Sequence, residues 1–331
     1  MKRYAARAMR SNIATIVLLL GVSVANAAAT QSRDDAWWTG PLLAASPGSL
    51  TPGHFLIEPY VFDAIPQGRY DNDGNRHPVP HANDFGSQSY LLYGLTEKVG
   101  VGLIPRFAFN DPGEGRSSSR VGMGDVTVQA QYGLTTFHAG SWIPTTAFVL
   151  QETLPVGKYD QLGDRPANGF GAGTYSTNLA LYSQYFFWMP NGRILRARLD
   201  VSKAFSNDVD VADVSVYGTG PGFRGQVEPG DQLTINPSLE YSITRNWVFA
   251  LDFIYQRDDA TRLSGFDIDA ATGVPVAVHE NFGSAWRFGI APAIEYNWTD
   301  RLGLIVGARW FGAGRNTGAT ITPAIALNMV Y

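Results

Sequence analysis

Apolar and polar residues alternate at every second position over the last stretch of the chain, from Thr320 to Tyr331. Ile321, Pro323, Ile325, Leu327, Met329 and Tyr331 share one parity, and Thr320, Thr322, Ala324, Ala326 and Asn328 the other. A period of two marks a strand with one face covered, and a tilted strand needs about 9 to 11 residues to cross a bilayer. The pattern recurs in 233–243, 247–255, 286–298, 126–134 and 195–201, and no helical period fits it. Extended along the chain, it predicts about twelve strands, at 54–62, 87–95, 99–109, 123–134, 142–155, 174–189, 193–206, 232–243, 247–257, 284–298, 302–312 and 320–331.

The connections alternate in length. Thr96-Glu97-Lys98, Pro190-Asn191-Gly192, Thr244-Arg245-Asn246 and Thr299-Asp300-Arg301 are short, and 135–141 is a less regular member of that set. The stretches 63–86, 110–122, 156–173, 207–231 and 258–283 are long and rich in Gly, Asp, Asn and Pro, with a shorter one at 313–319. Short turns on one side and long loops on the other define an all-β, antiparallel up-and-down transmembrane barrel. An even strand count puts both ends of the chain on the short-turn, periplasmic side. Six of the eight Trp fall at strand ends, Trp142, Trp188, Trp247 and Trp298 by the short turns and Trp286 and Trp310 toward the loops. Indole rings prefer the headgroup level, so two aromatic girdles are expected.

With the apolar parity facing lipid, the other faces the lumen, and it gathers Arg196, Arg198, Asp200, Glu240, Asp252, Arg287, Glu295 and Arg309, with Arg106 in addition. A charge turned to lipid near the midplane would cost about 2 to 4 kcal/mol, which forces this shared parity. Such charges either pair and brace the wall or line a conduit and select its solute. Both readings stay open. Twelve strands lie between the filled interior of eight and the open channel of sixteen, and Gly289, Ala291, Ala293, Gly303 and Gly307 either leave space or serve curvature. Residues 28–53 show no alternation and contain Trp37-Trp38-Thr39-Gly40-Pro41. Their Pro and Gly favour a periplasmic leader or surface-docked segment, with Trp37 and Trp38 as a plug or gate in the barrel mouth as the alternative.

Lys2, Arg3, Arg7 and Arg10 precede the apolar run 13–24 and the small-residue site Ala25-Asn26-Ala27, so 1–27 reads as a secretory signal peptide and the barrel as 54–331. Its removal takes four of the 25 Lys and Arg and none of the 29 Asp and Glu, moving the net charge from -4 to about -8, a sign that argues against nucleic acid. Nothing after it has the apolar length of a membrane helix. With no Cys in the sequence, disulfides, thiolate metal sites and Cys nucleophiles drop out. None of the five His stands in a metal-ligand spacing, and no His-x-Ser pair of the outer-membrane phospholipase kind occurs. The stretch Asp71-Asn72-Asp73-Gly74-Asn75 opens like a calcium loop but has Ala82 at the closing position where Glu belongs. No enzyme, metal or cofactor is expected.

Three stretches carry a family resemblance: Gly124-Asp125-Val126, Leu154-Pro155-Val156-Gly157-Lys158-Tyr159 and Gly169-Phe170-Gly171-Ala172-Gly173-Thr174. In order and spacing they resemble the outer-membrane transporter-type family associated with the meta-cleavage pathway of phenol degradation, with Val156 where Thr is commoner. The resemblance implies uptake of small aromatic or hydrophobic compounds, and it brings no catalytic or ligand residues to carry over. The terminal aromatic, Tyr331, resembles the C-terminal strand signal that the barrel-assembly machinery recognises. The expected protein is thus an outer-membrane channel for passive uptake of a small solute, in contact with lipid. A closed barrel whose loops serve recognition or adhesion is the alternative, ahead of a barrel enzyme of lipase or protease type.

Overall fold

The computed structural model describes residues 32–269 and 271–331; the expected signal peptide, 1–27, lies outside them. Twelve antiparallel strands form a closed barrel: β1 (Phe55–Tyr70), β2 (Asn83–Gly94), β3 (Val99–Ile104 and Arg106–Asp111, interrupted at Pro105), β4 (Val126–Thr135), β5 (Thr145–Leu154) and β6 (Ser176–Trp188). The second half comprises β7 (Ile194–Ser206), β8 (Gln232–Ser242), β9 (Trp247–Asp258), β10 (Ala285–Asn297), β11 (Leu302–Arg315) and β12 (Thr317–Val330). Each pairs with its chain neighbours, and β1 closes the ring by pairing with β2 from Phe55↔Tyr93 and with β12 from Leu56↔Val330. Closure leaves no membrane-embedded backbone edge without a hydrogen-bond partner.

The wall follows the predicted parity. Leu150, Leu181, Leu199, Leu239, Phe249, Val306 and Ile325 are exposed on the outside, whereas Val149, Ala180, Ala250, Ala291, Ala293 and Ala326, on the other parity, are buried. Several strands run further outward than their alternation does. β1 continues to Tyr70 and bulges between Pro66 and Gly68, and β12 begins at Thr317. Above the lipid neither face has to be apolar, so the pattern ends while the ladder goes on. At the other rim, β5 starts only at Thr145, because Pro144 cannot donate and its carbonyl accepts from Thr135 Oγ1 at 2.7 Å. Trp188 departs from the expected girdle: it pairs in register with the buried Ile194 and stacks inside the rim on Phe137, centroids 5.8 Å apart.

Residues 207–231 and 258–283 hold more order than their Gly, Asp and Asn content suggests. Val209–Ala212, Arg224–Glu228, Arg262–Ile268 and Pro275–Asn281 form a separate four-stranded antiparallel sheet beyond the outer rim. Its core is Val209, Val211, Phe223, Val227 and Leu263. Gly225 and Gly265 face one another beneath the Phe223 ring, where a Cβ on Gly225 would come within 2.8 Å of the Gly265 Cα. Two loops far apart in sequence thereby become one cap.

The loop after β1 turns on Asp71. Its Oδ1 accepts from the backbone N–H of Asp73 at 2.9 Å and of Asn75 at 2.8 Å, and its Oδ2 lies 2.7 Å from His77 Nε2. These bonds, His77 first and the Asn75 amide next, hold the carboxyl well below the usual carboxylate range. A lowered folded-state pKa means that its contribution is complete above the ordinary carboxylate pKa and is lost only as pH falls through the lowered value. Carbon-13 NMR, with Asp71→Asn as assignment control, should find the carboxyl still ionised at a pH of about 3; a midpoint near the reference value of about 3.9 would contradict the turn geometry.

Candidate functional site

The strand walls enclose a lumen, and residues 37–50 lie inside it. Gly40, Pro41, Pro47 and Gly48 keep this segment out of any ladder, so its amides must find other acceptors. The wall supplies them as carboxylates. Glu295 Oε2 on β10 accepts from the N–H of Thr39 at 2.7 Å and of Gly40 at 3.1 Å. Asp252 on β9 accepts from Leu43 at 3.2 Å and Ala44 at 3.0 Å, and Asp200 on β7 from Ala45 at 2.7 Å. Arg198 Nη1 donates to the Ala44 carbonyl at 2.9 Å, and Gln131 on β4 to that of Gly48 at 3.3 Å. The segment thus crosses from β10 to β7 on charge-assisted bonds and reaches β4 through the neutral Gln131 amide. Strand alternation is no guide to a segment held by side chains in this way.

Apolar packing fixes its middle. Leu42 is buried among Ala250, Ala291, Ala293, Ile305 and Ala326, with Leu43 and Tyr60 against the same cluster. Ala291 and Ala293 of β10 and Gly303 of β11 therefore lie against this segment. At Gly303 a Cβ would stand 2.0 Å from Thr39 Oγ1, and at Gly307 it would stand 2.6 Å from the Ala293 Cβ. Gly303→Val should push Thr39 off the wall, and a maleimide should then reach Leu42→Cys faster in this otherwise Cys-free chain. Unchanged labelling would contradict the close approach.

Trp37 and Trp38 anchor the entry. Trp37 donates its N–H to the Arg245 carbonyl at 2.8 Å, and the Arg245 guanidinium lies 4.4 Å from its ring centroid. Arg196 sits 4.4 Å over the Trp38 ring, which also meets Phe186 edge-on at 6.2 Å. Such cation–π contacts contribute about 0.5 to 2 kcal/mol each, the more so away from water.

All nine charged residues singled out in the sequence stand on the inward parity, in two tiers. In the inner tier Glu240, fully buried, accepts from Arg196 through both oxygens, the Nε bond being 2.6 Å, and pairs with Arg198 Nε at 3.2 Å. Asp200, Asp252 and Glu295 hold the segment. Glu58 belongs to this tier as well and accepts from Asn328 Nδ2 at 3.2 Å; sequence reasoning missed it because Leu56, Tyr60 and Phe62 on the same parity hide the polar face of β1. Also missed was a belt of amides: Asn178 Nδ2 donates to Gln151 at 2.7 Å, and Gln151 Nε2 to Gln129 at 3.0 Å. Their parity, opposite to Leu150 and Leu179, was the available signal.

In the outer tier stand Arg106, Arg287 and Arg309. Arg287 Nε donates to Gln256 at 2.7 Å, and Arg287 and Arg309 lie 4.3 and 5.0 Å from the centroid of the buried Phe311 ring. Outward of Leu42 and Leu43 opens a cavity of about 940 Å³, bounded by Tyr60, Phe62, Tyr90, Phe170 and Tyr217 and by Arg106 and Arg309. A second space of about 620 Å³ surrounds the segment itself. Phe170 enters from the loop after β5 and packs on Gly122, where a Cβ would meet its ring at 2.0 Å. Asp125 pins that loop, accepting from Gly157 N at 3.0 Å and Ala172 N at 2.7 Å. Among the described residues no three His, Asp or Glu converge as a metal site.

An outer-membrane channel from Pseudomonas putida F1 shares this fold with a TM-score of 0.62 at 14% identity, over 86% of this chain and 97% of that one. The β domain of the Bordetella autotransporter BrkA aligns with a TM-score of 0.42 at 9% identity, over 85% of this chain and 100% of that one. The P. putida toluene transporter TodX aligns with a TM-score of 0.36 at 13% identity, over 90% and 95%. These last two are too distant to bear on function. No curated protein matches the chain in sequence. Residues 61–324 match one family over nearly the whole barrel, and the chain belongs to it: the family described as "Putative MetA-pathway of phenol degradation".

Proposed function

We propose that this barrel sits in the outer membrane and passes small aromatic or hydrophobic solutes inward without a cofactor, with the lumenal segment 37–50 as its gate. One observation carries the reading: a large aromatic-walled cavity faces outward and ends on a floor, Leu42 and Leu43, that hydrogen bonds rather than covalent topology hold in place. A solute entering past Phe170 would rest on that floor. Displacing the segment from Asp200, Asp252 and Glu295 would join the two cavities, and release then requires only weak binding. The outer-membrane channel of the same fold supports transport, and the family's description, a phenol-degradation pathway, supports an aromatic solute. Tyr331 supports recognition by the barrel-assembly machinery: its backbone pairs with Phe55 at 2.8 and 3.0 Å while its side chain is exposed.

Uptake of radiolabelled phenol by cells lacking this protein, with and without its gene restored, tests the reading. Faster entry with the gene is expected, and equal entry would contradict it. The recognition alternative draws on the filled lumen and on the outer sheet, where Phe266 and Val276 are exposed. It predicts equal entry, together with loss of a surface-binding activity when residues 209–228 and 262–281 are shortened.

A further inference from the structure

Resting on the uptake reading, we infer that the outer cavity contains an anion subsite, so that its preferred solute is a compact apolar or aromatic body carrying one carboxylate-like group. Arg106, Arg287 and Arg309 come from three different strands, yet among the described residues none of them forms an ion pair. Arg309 reaches only Thr322 Oγ1, at 3.5 Å, and its Nε is shut off from water with no acceptor. Arg106 and Arg309 border the same cavity, and Arg287 and Arg309 lie against the same Phe311 ring. Arg106 is exposed to the cavity, whereas a buried guanidinium nitrogen left without an acceptor, as in Arg309, is costly. The inner tier makes the contrast plain: its two arginines share the Glu240 carboxylate, while the outer three have none.

Of the four carboxylates that border the cavity, Glu114 stands exposed in the outer loop 110–122, and the other three are engaged or distant. Asp125 is taken by two backbone amides and Asp164 by Arg116. Asp84 pairs in register with Asn110, four positions along β3 from Arg106 toward the outside. What remains open is a positive patch of Arg106 and Arg309 beside apolar walls from Leu42, Tyr60, Phe62 and Phe170, while Arg287, outside that lining, is bonded to Gln256. A planar carboxylate suits the guanidinium fork, and an apolar body suits those walls. An inorganic anion would leave the walls unfilled, and a neutral aromatic would leave the arginines unpaired.

Calorimetric titration of the refolded mature protein in detergent and low chloride, with benzoate and its neutral analogue benzamide, tests the inference. Benzoate should bind roughly tenfold tighter or more, as expected for hydrogen bonds to charged groups. Arg309→Gln should bring benzoate down to the benzamide level, and Arg309→Lys should keep part of the preference. Heat-modifiable migration on gels verifies that each variant is folded. Equal affinities in the wild type, no binding of either compound, or a preference that survives in the Arg106→Gln/Arg287→Gln/Arg309→Gln variant would overturn the subsite. Sulfate displacing benzoate at equal concentration would overturn the apolar part of the solute class. The uptake reading fails separately: gene-dependent entry of phenol can persist when benzoate is not preferred, and benzoate can be preferred when entry does not depend on the gene.

Discussion

Glu240→Ala should destabilise the barrel by about 3 to 5 kcal/mol, the usual cost of breaking a buried ion pair from one side. Glu240 is fully buried and is the carboxylate partner of both Arg196 and Arg198, which are themselves buried. Its removal strands two guanidinium groups within reach of one another, and the Trp38 ring, 4.4 Å from Arg196, offsets little of that charge. Urea unfolding in lipid, followed by tryptophan fluorescence, checks the loss. Replacing the whole network, Arg196→Met/Glu240→Leu/Arg198→Met, should recover much of it, because apolar groups of similar size often substitute for buried ion pairs without cost. Recovery should be incomplete, since Arg198 also donates to the Ala44 carbonyl. A loss under about 1 kcal/mol for Glu240→Ala, as for an exposed pair, would mean that water reaches this tier.

The second large effect concerns the lumenal segment. Asp252→Ala/Glu295→Ala removes the acceptors of four backbone amides, those of Thr39, Gly40, Leu43 and Ala44. Each such bond to a charged group contributes roughly 1.5 to 3 kcal/mol, so the segment should leave the wall for much of the time while the closed ladder keeps the barrel intact. Leu42→Cys in this background should react with a maleimide many times faster than in the wild type. Asp252→Asn/Glu295→Gln, which keeps neutral acceptors in place, should fall between the two. Equal rates in all three would mean that apolar packing around Leu42, rather than the carboxylates, holds the segment.

Much of the barrel is legible in the sequence because lipid imposes a rule on every second residue. Leu233 to Ile243 can alternate only one way if Glu240 is to avoid hydrocarbon, and the same rule applied to 195–201 and 247–255 puts Arg196 and Asp252 on the inner face. The rule weakens wherever lipid is absent. β1 continues without apolar alternation from Asp63 to Tyr70, and Trp188 stacks on Phe137 inside the rim. The outer sheet escapes notice because its strands are short and its core, Val209, Val211, Phe223, Val227 and Leu263, comes from two loops. The lumenal segment is the least legible of all. Thr39 bonds to Glu295 across 256 residues of sequence, through a backbone amide that every residue but proline possesses. Only the surplus of inward carboxylates and the run of small residues at Gly289, Ala291, Ala293, Gly303 and Gly307 hint that something must lie against them. Arg106, Arg287 and Arg309 are legible as inward charges, but their lack of partners is visible only once the strands are side by side.

Single-channel recording in planar bilayers, comparing the mature protein with a variant lacking residues 37–49, tests most directly that this segment closes the lumen. The wild type should be silent or open briefly, and the variant should conduct steadily through the joined cavities. Indistinguishable traces from two barrels verified as folded would contradict closure by this segment.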